Sequence, residues 1–309
     1  QRMKAQGATS KSPILESFTQ WHNLKFVLLL FFIASGLGGI FGTGHFYSMF
    51  FLTQTLKLPQ TQVHLMMGIA LVALIPFYLF FGWLSDRIGR KWIMLSACLL
   101  AALTIQPIFK ALTHYANPAL ESFQENNRID ITANDCRFNL FSKPETACDK
   151  VRSFLNASGV SYTLTSSSVA GEIKIRIGGQ EIEGFVPDQL KTALKMAGWP
   201  ETADVTRINK PVVIGLLFIL VMYLAMIYGP LAAFMVELFP ARIRYTSLSL
   251  PFHLGSGWVG GMLPFVVSAM NVSAGDIYYG LWYPVIISSV ALLVGLLFMP
   301  ETRGRAIDH

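Results

Sequence analysis

Six long runs of this chain contain no Asp, Glu, Lys or Arg: residues 26–52, 63–84, 92–109, 212–236, 245–270 and 277–299. Each is mostly apolar and about 18 or more residues long, enough for a helix to cross a bilayer with its backbone polar groups satisfied internally. Only 14% of the 309 residues are charged, and they crowd into the segments between the runs. A soluble domain, a disordered chain and a nucleic-acid binder are excluded. The chain reads as an all-α transmembrane helical bundle of six spans in a lipid bilayer, with no nucleic-acid partner.

The net charge of +6 follows topology rather than a polyanion. If the spans alternate in direction, one side collects Arg2, Lys4, Lys11, Lys25, Arg87, Arg90, Lys91, Arg242, Arg244, Arg303 and Arg305. The other side has only Lys57 and Lys110 near the spans, apart from one long insert. Cytoplasmic loops carry the excess of Lys and Arg, so both termini are expected in the cytoplasm. Residues 1–25 are polar and basic, with Pro13 and a short amphipathic run through Ile14, Leu15 and Phe18. Starting at Gln1 without a signal-peptide pattern, they read as a cytoplasmic linker arriving from an upstream segment, and the chain as a fragment.

Residues 26–112 then hold three spans, 113–210 an insert, 211–299 three more spans and 300–309 a cytoplasmic tail. Span one is dense in glycine, with Gly36, Gly38, Gly39, Gly42 and Gly44 close together. Neighbouring helices or a wet cavity can support such a run in a bilayer. These glycines, and Gly257-x-x-x-Gly261 in span five, are expected to serve close helix packing. Tyr278, Tyr279, Trp282 and Tyr283 begin span six, as an interfacial aromatic belt does.

The insert is nearly neutral and is expected to form a small extracytoplasmic α+β domain. Residues 145–156 read as a helix and Val160–Thr165 as a strand, while Glu172–Ile177 and Glu181–Phe185 flank Gly178-Gly179-Gln180 as a hairpin. Asp188 is expected to cap a second helix running to about Ala197. Cys136 and Cys148 lie close in sequence within it, so an oxidising compartment predicts a disulfide; two free thiols are the alternative. Asn156-Ala-Ser158 and Asn271-Val-Ser273 match the short glycosylation sequon. No Cys/His spacing points to a metal, and no cofactor is expected.

Between spans two and three stands Gly82-Trp-Leu-Ser-Asp86-Arg87-Ile-Gly89-Arg90-Lys91. The two glycines permit close helix approach and a tight turn, Asp86 suits a helix N-terminus, and the cations supply ion-pair donors. This segment resembles the G-x-L-x-D-R-x-G-R-K loop of the major facilitator superfamily. Glu237-Leu-Phe-Pro240-Ala-Arg242-Ile-Arg244 resembles the element after the tenth helix of those transporters, and Pro300-Glu-Thr-Arg-Gly304 the element after the twelfth. Thr43-Gly-His-Phe-Tyr47, Ser247-Leu-Ser-Leu-Pro-Phe-His253 and Gly255-Ser-Gly-Trp-Val-Gly-Gly261 are similar to the metabolite:proton symporter branch, which includes proline/betaine, α-ketoglutarate and shikimate permeases. The large insert is not a standard part of the superfamily.

The resemblance implies the C-terminal six-helix half of a transporter that binds substrate between two halves. The N-terminal half would be the missing partner, and a small-molecule metabolite and a proton the cargo. The setting would be a bacterial inner membrane with the insert in the periplasm. Spans one and four would line the central cavity with span five beside them, which makes Thr43, His45, Tyr47, Tyr223, Tyr228, His253 and Trp258 the pocket candidates. His45 and His253 are the sharpest, since an ionisable residue inside a span invites a functional reading; a neutral His bonded between packed helices is the alternative. A conformational latch is expected from Asp86, Arg87, Arg90, Glu237, Arg244, Glu301 and Arg303, with Gly82 and Gly89 shaping the turn. No span holds a carboxylate or guanidinium, so the main proton carrier is expected in the absent half. A membrane-anchored sensor working through 113–210 is the alternative reading. Catalysis is not expected: the insert has Ser161, Ser166, Ser167, Ser168, Asp130 and Asp135, but His114 is its only histidine and it has no G-x-S-x-G nucleophile turn.

Overall fold

A computed structural model describes residues 12–134, 136, 144–166 and 173–304. A short helix α1 (Pro13–Thr19) leads into six helices long and apolar enough to span a membrane. These are α2 (Trp21–Thr55), α3 (Gln60–Ile88), α4 (Arg90–Ala116), α8 (Lys210–Leu238), α9 (Arg244–Ala274) and α10 (Tyr279–Phe298). Between α4 and α8 the insert runs as α5 (Pro118–Asn126), β1 (Ile129–Ala133), α6 (Ala147–Ala157), β2 (Thr163–Ser166), β3 (Lys174–Ile177), β4 (Gln180–Glu183) and α7 (Pro187–Met196). The protein is an integral membrane helical bundle carrying a small mixed domain.

α8 lies between α3 and α4, while α2 packs on α9 and α10, and α10 closes against α4. α2 and α9 cross with their backbones in close approach. A methyl group on Gly38 would stand 2.7 Å from the Ser256 carbonyl oxygen, and one on Gly260 would stand 2.6 Å from that of Gly38. The glycines of α9 that do this are Gly255 and Gly260, whereas Gly257 and Gly261 face open space, which corrects the expected pair. The reason is the winding. His253–Gly260 forms a π-helix, as do Gly42–Tyr47 and Phe51–Thr55 in α2. Bonding from i to i+5 brings residues five apart onto one face, so Gly255 and Gly260 share the contact that α-helical spacing would assign to Gly257 and Gly261.

In the insert, strand order is β2-β1-β3-β4, with β1 and β2 parallel across the α6 crossover and the other pairs antiparallel. Ile129, Ile131, Ile175 and Ile177 turn one face into the core with Val151, Leu155 and Leu190 from the helices. Gly178 and Gly179 both take positive φ at the β3–β4 turn, the backbone a two-residue hairpin needs. Three details differ from expectation. The second helix starts at Pro187, so Val186 is its cap and Asp188 stands inside its first turn. β2 begins at Thr163, because Tyr162 instead bonds the end of α9. The central strand β1 has only five residues and carries Asp130, a pattern too short to announce itself. Cys136 and Cys148 are joined by a disulfide, their Cα atoms 5.2 Å apart. Glu172, at the edge of the expected hairpin, lies outside the described residues.

The insert is bound closely to one end of the bundle. Buried Arg152 of α6 donates from Nη2 to the carbonyls of Val272 (3.0 Å) and Ser273 (2.9 Å), the last turn of α9. A cation there satisfies orphan carbonyls and opposes the negative end of the helix dipole. The Tyr162 hydroxyl also donates to Val272 O, at 2.5 Å, and the Tyr162 amide donates to Gly275 O at 2.7 Å. At the α2–α3 corner, Lys57 donates to the Ala157 carbonyl (2.6 Å), and Asn117 Nδ2 donates to the Leu56 carbonyl (2.9 Å). Burial pulls the Lys57 ammonium below its ordinary lysine range. Asn271, the second sequon asparagine, is buried: it donates to Tyr47 Oη and to Ile277 O, and accepts from the Gly280 amide. It is a structural knot rather than a glycan acceptor.

Candidate functional site

At the opposite end of the bundle, which carries the basic loops, α3 turns into α4 through Gly89. Its φ of 104° and ψ of 152° fall in a region essentially closed to other residues. The absent side chain matters as well, since a Cβ there would collide with the Glu301 carboxylate. That carboxylate occupies the start of α4: Oε1 accepts from the Arg90 amide (3.0 Å) and Oε2 from the Lys91 amide (3.3 Å). Gly89 has no side chain to cap the helix, so Glu301, 211 positions beyond Arg90, supplies the anion that its N-terminus favours.

Arg90 is the hub. Its Nε donates to Glu237 Oε2 (2.6 Å) and its Nη2 to Glu237 Oε1 (2.5 Å), while its Nη1 donates to Asp86 Oδ1 (3.0 Å). The Arg90 and Glu237 side chains are only 10% and 8% exposed, against 69% for Asp86. The parallel fork is therefore the strong element, and the Asp86 pair is a solvated addition. Thr302, fully buried, lies against Glu237. Gly82 faces Gly229 of α8, and it is Gly229 whose missing side chain lets α3 and α8 approach: a Cβ there would stand 2.9 Å from the Gly82 nitrogen, whereas one on Gly82 would make only ordinary contact.

Four of the seven residues expected in a latch thus meet: Asp86, Arg90, Glu237 and Glu301. Arg87 instead stacks on Trp83, its guanidinium carbon 4.1 Å from the ring centroid. Arg244 donates from Nε to the Phe239 carbonyl (3.1 Å) and closes its own turn. Arg303 offers its backbone amide to Glu301 Oε1 (3.0 Å) while its side chain is exposed. Sequence spacing could place these cations at one end of the bundle but could not say that an aromatic ring or a nearby carbonyl would take two of them. Arg242 and Glu16, outside the expected set, pair at 2.6 Å and dock α1 against the α8–α9 turn.

The pocket candidates divide. Thr43 spends its hydroxyl on the Gly39 carbonyl of its own helix (2.7 Å). Tyr47 is fully buried, and its hydroxyl accepts from Asn271 at 3.1 Å. The Tyr223 hydroxyl lies 2.7 Å from Thr104 Oγ1 and joins α8 to α4. These three hold helices together. His45 is half-buried, stacked on Phe41 with centroids 5.8 Å apart and edge-on to Phe46 at 5.0 Å. His253 is exposed beside Phe252, and Tyr228 and Trp258 are also exposed. No hydrogen bond or ring contact joins these four to one another among the described residues. In the insert, His114 pairs with Glu121 at 2.6 Å. Asp135, Ser167 and Ser168 lie outside the described residues.

Comparison with known proteins agrees with the loop signature. Residues 19–120 match the Major Facilitator Superfamily model. The glycine betaine/proline/ectoine/pipecolic acid transporter OusA of Dickeya dadantii is 33% identical over 99 residues, 31% of this chain and 19% of that protein. A Haemophilus influenzae protein named for metabolite transport is 32% identical over 92 residues, 30% of this chain and 20% of that one. The matched segment thus spans about a fifth of the length of these curated relatives. No solved structure matches the chain. Residues 19–120 are thus similar to the Major Facilitator Superfamily, and the chain carries six helices of membrane-spanning length with the D-R-x-G-R turn set between α3 and α4.

Proposed function

We propose that this chain forms the C-terminal six-helix half of a secondary active transporter for a small organic acid or zwitterionic metabolite, working by alternating access and driven by proton symport. The substrate class rests on the relatives' names, and the half on six spans in a superfamily whose substrate sites lie between repeats. The excess of Lys and Arg at one end supports a cytoplasmic position for the termini, and the disulfide supports a periplasmic insert in a bacterial inner membrane.

The observation that carries the mechanism is the Arg90 hub. It unites three segments distant in sequence: the α3–α4 turn, the end of α8 and the 300–304 tail. Such a knot holds only while these ends stay together, so an inward-opening step has to break or carry it, and we read it as the latch. The test is proton-driven uptake by the complete transporter in vesicles, with labelled betaines, dicarboxylates and shikimate. Glu237→Gln leaves the Arg90 fork half-paired and is expected to lower uptake by about tenfold or more, consistent with about 2 kcal/mol for a charge-assisted pair. Asp86→Asn, at a solvated position, is expected to change it by less than about fivefold. Unchanged uptake and unchanged accessibility of the basic end in Glu237→Gln would remove the latch. Uptake that survives a protonophore would remove proton coupling.

A further inference from the structure

Between the first turns of α2 and the end of α10 lies an apolar groove of about 540 Å³ that neither the latch nor the pocket candidates use. Trp21, Lys25, Leu28 and Phe32 line it at helical spacing from α2, and Leu297 and Phe298 close it from α10. From Trp21 to Phe32 the wall runs about 17 Å along the helix axis. Its lining is almost wholly apolar, which suits an acyl chain rather than a polar metabolite. Helix α1 leaves it open, because Ser17 bonds to Ser247 (2.8 Å) and Glu16 pairs with Arg242, which draws α1 toward α9 instead.

One end of the groove is cationic. Lys25 is exposed at its lip, its amine 5.0 Å from the Phe26 ring centroid and in no ion pair among the described residues. Lys91 reaches the same end of α10, donating to the Leu296 carbonyl at 3.1 Å, one residue from the groove wall. Trp21, with 70% of its surface exposed, stands at the same level, as an interfacial indole does. The Lys25 amine at the lip of an apolar slot, with the Lys91 amine at the adjoining end of α10, matches an anionic headgroup above its own chain. A zwitterionic headgroup would bring a trimethylammonium against them.

We propose that this groove is a binding site for one anionic phospholipid, its phosphate held by Lys25 and Lys91 and an acyl chain lying along α2 between Phe32 and Leu297. A basic residue near an anionic lipid surface contributes a preference of about fivefold, equivalent to about 1 kcal/mol. The test uses the purified protein in detergent, titrated with phosphatidylglycerol and, separately, with phosphatidylcholine of the same chains, and native mass spectrometry reads the bound lipid. One phosphatidylglycerol is expected to be retained at least about fivefold more tightly than phosphatidylcholine, and Lys25→Ala is expected to abolish that preference. Leu28→Trp, which fills the groove, is expected to weaken both lipids. A second readout is quenching of Trp21 by acyl-brominated phosphatidylglycerol, taken as the difference between the protein and Trp21→Phe. Equal affinity for the two lipids, or a preference that survives Lys25→Ala, would reduce the groove to ordinary annular lipid and overturn the proposal. Displacement by inorganic phosphate alone would make it a phosphate site. Absence of Trp21 quenching would mean that protein covers this face, and would overturn it equally.

Discussion

Gly89 shows how much one residue can determine. It supplies a backbone conformation other residues avoid and the space into which the Glu301 carboxylate fits. Gly89→Ala is expected to cost about 1–3 kcal/mol from backbone strain alone, and more once Glu301 is displaced. Thermal unfolding of the purified protein reads the loss, and Glu301→Ala in the same background should add little, since the cap is already gone. In the insert, Glu201 is held by Lys191 and Lys195, whose hydrogen bonds bring its carboxyl down to about 2. An unfolded Glu titrates near about 4.3. The contribution of this pair is therefore fully present above that value and fades as pH falls from there through the folded value. Hydrogen-exchange protection of α7 should stay flat from neutral pH to about 5 and drop only in stronger acid, and Glu201→Gln should remove that acid dependence. At this scale the sequence was informative about residue type and poor about partner. Asp86, Arg90, Glu237 and Glu301 stand out because charges near span ends are few. That Arg87 would choose Trp83, or that Tyr47 would meet Asn271 across 224 positions, depends on helix rotation, which no local pattern encodes.

Among the elements, the spans were legible because lipid forbids charge and demands length, two constraints that read directly in letters. Their winding was not. The π-helical stretches of α2 and α9 leave composition untouched and move Gly255 and Gly260 into the seat assigned to Gly257 and Gly261. In the insert, β1 went unread because Ile129-Asp-Ile-Thr-Ala offers two clear alternations, and both its partners lie beyond α6 in the chain. The element-level test is Arg152, which caps α9 from another domain and pairs with Asp149 at 3.9 Å. Arg152→Ala strands a buried carboxylate and exposes two helix-end carbonyls, with an expected cost of about 3–5 kcal/mol. Calorimetry reads the loss, and exchange should show it concentrated in α6 and the last turn of α9. Arg152→Lys should recover only part, because an ammonium lacks the planar fork that spans two carbonyls.

For the molecule as a whole, the arrangement of Lys and Arg predicts a cytoplasmic basic end. With a cysteine placed at Glu125 or at Arg303, an impermeant maleimide is expected to label only the first in intact cells and both after lysis. Native Cys98 is buried and Cys136 and Cys148 are bonded, so the background should be silent. Labelling of Arg303→Cys in intact cells would invert the topology. The insert makes hydrogen bonds at two corners, to Leu56 and Lys57 after α2 and to Val272, Ser273 and Gly275 at the end of α9. It works as a strut. Those two helix ends cannot part without shearing polar bonds out of a buried setting, so any widening of the bundle on that side has to open along a different seam, with the strut travelling as a passenger on the pair it braces.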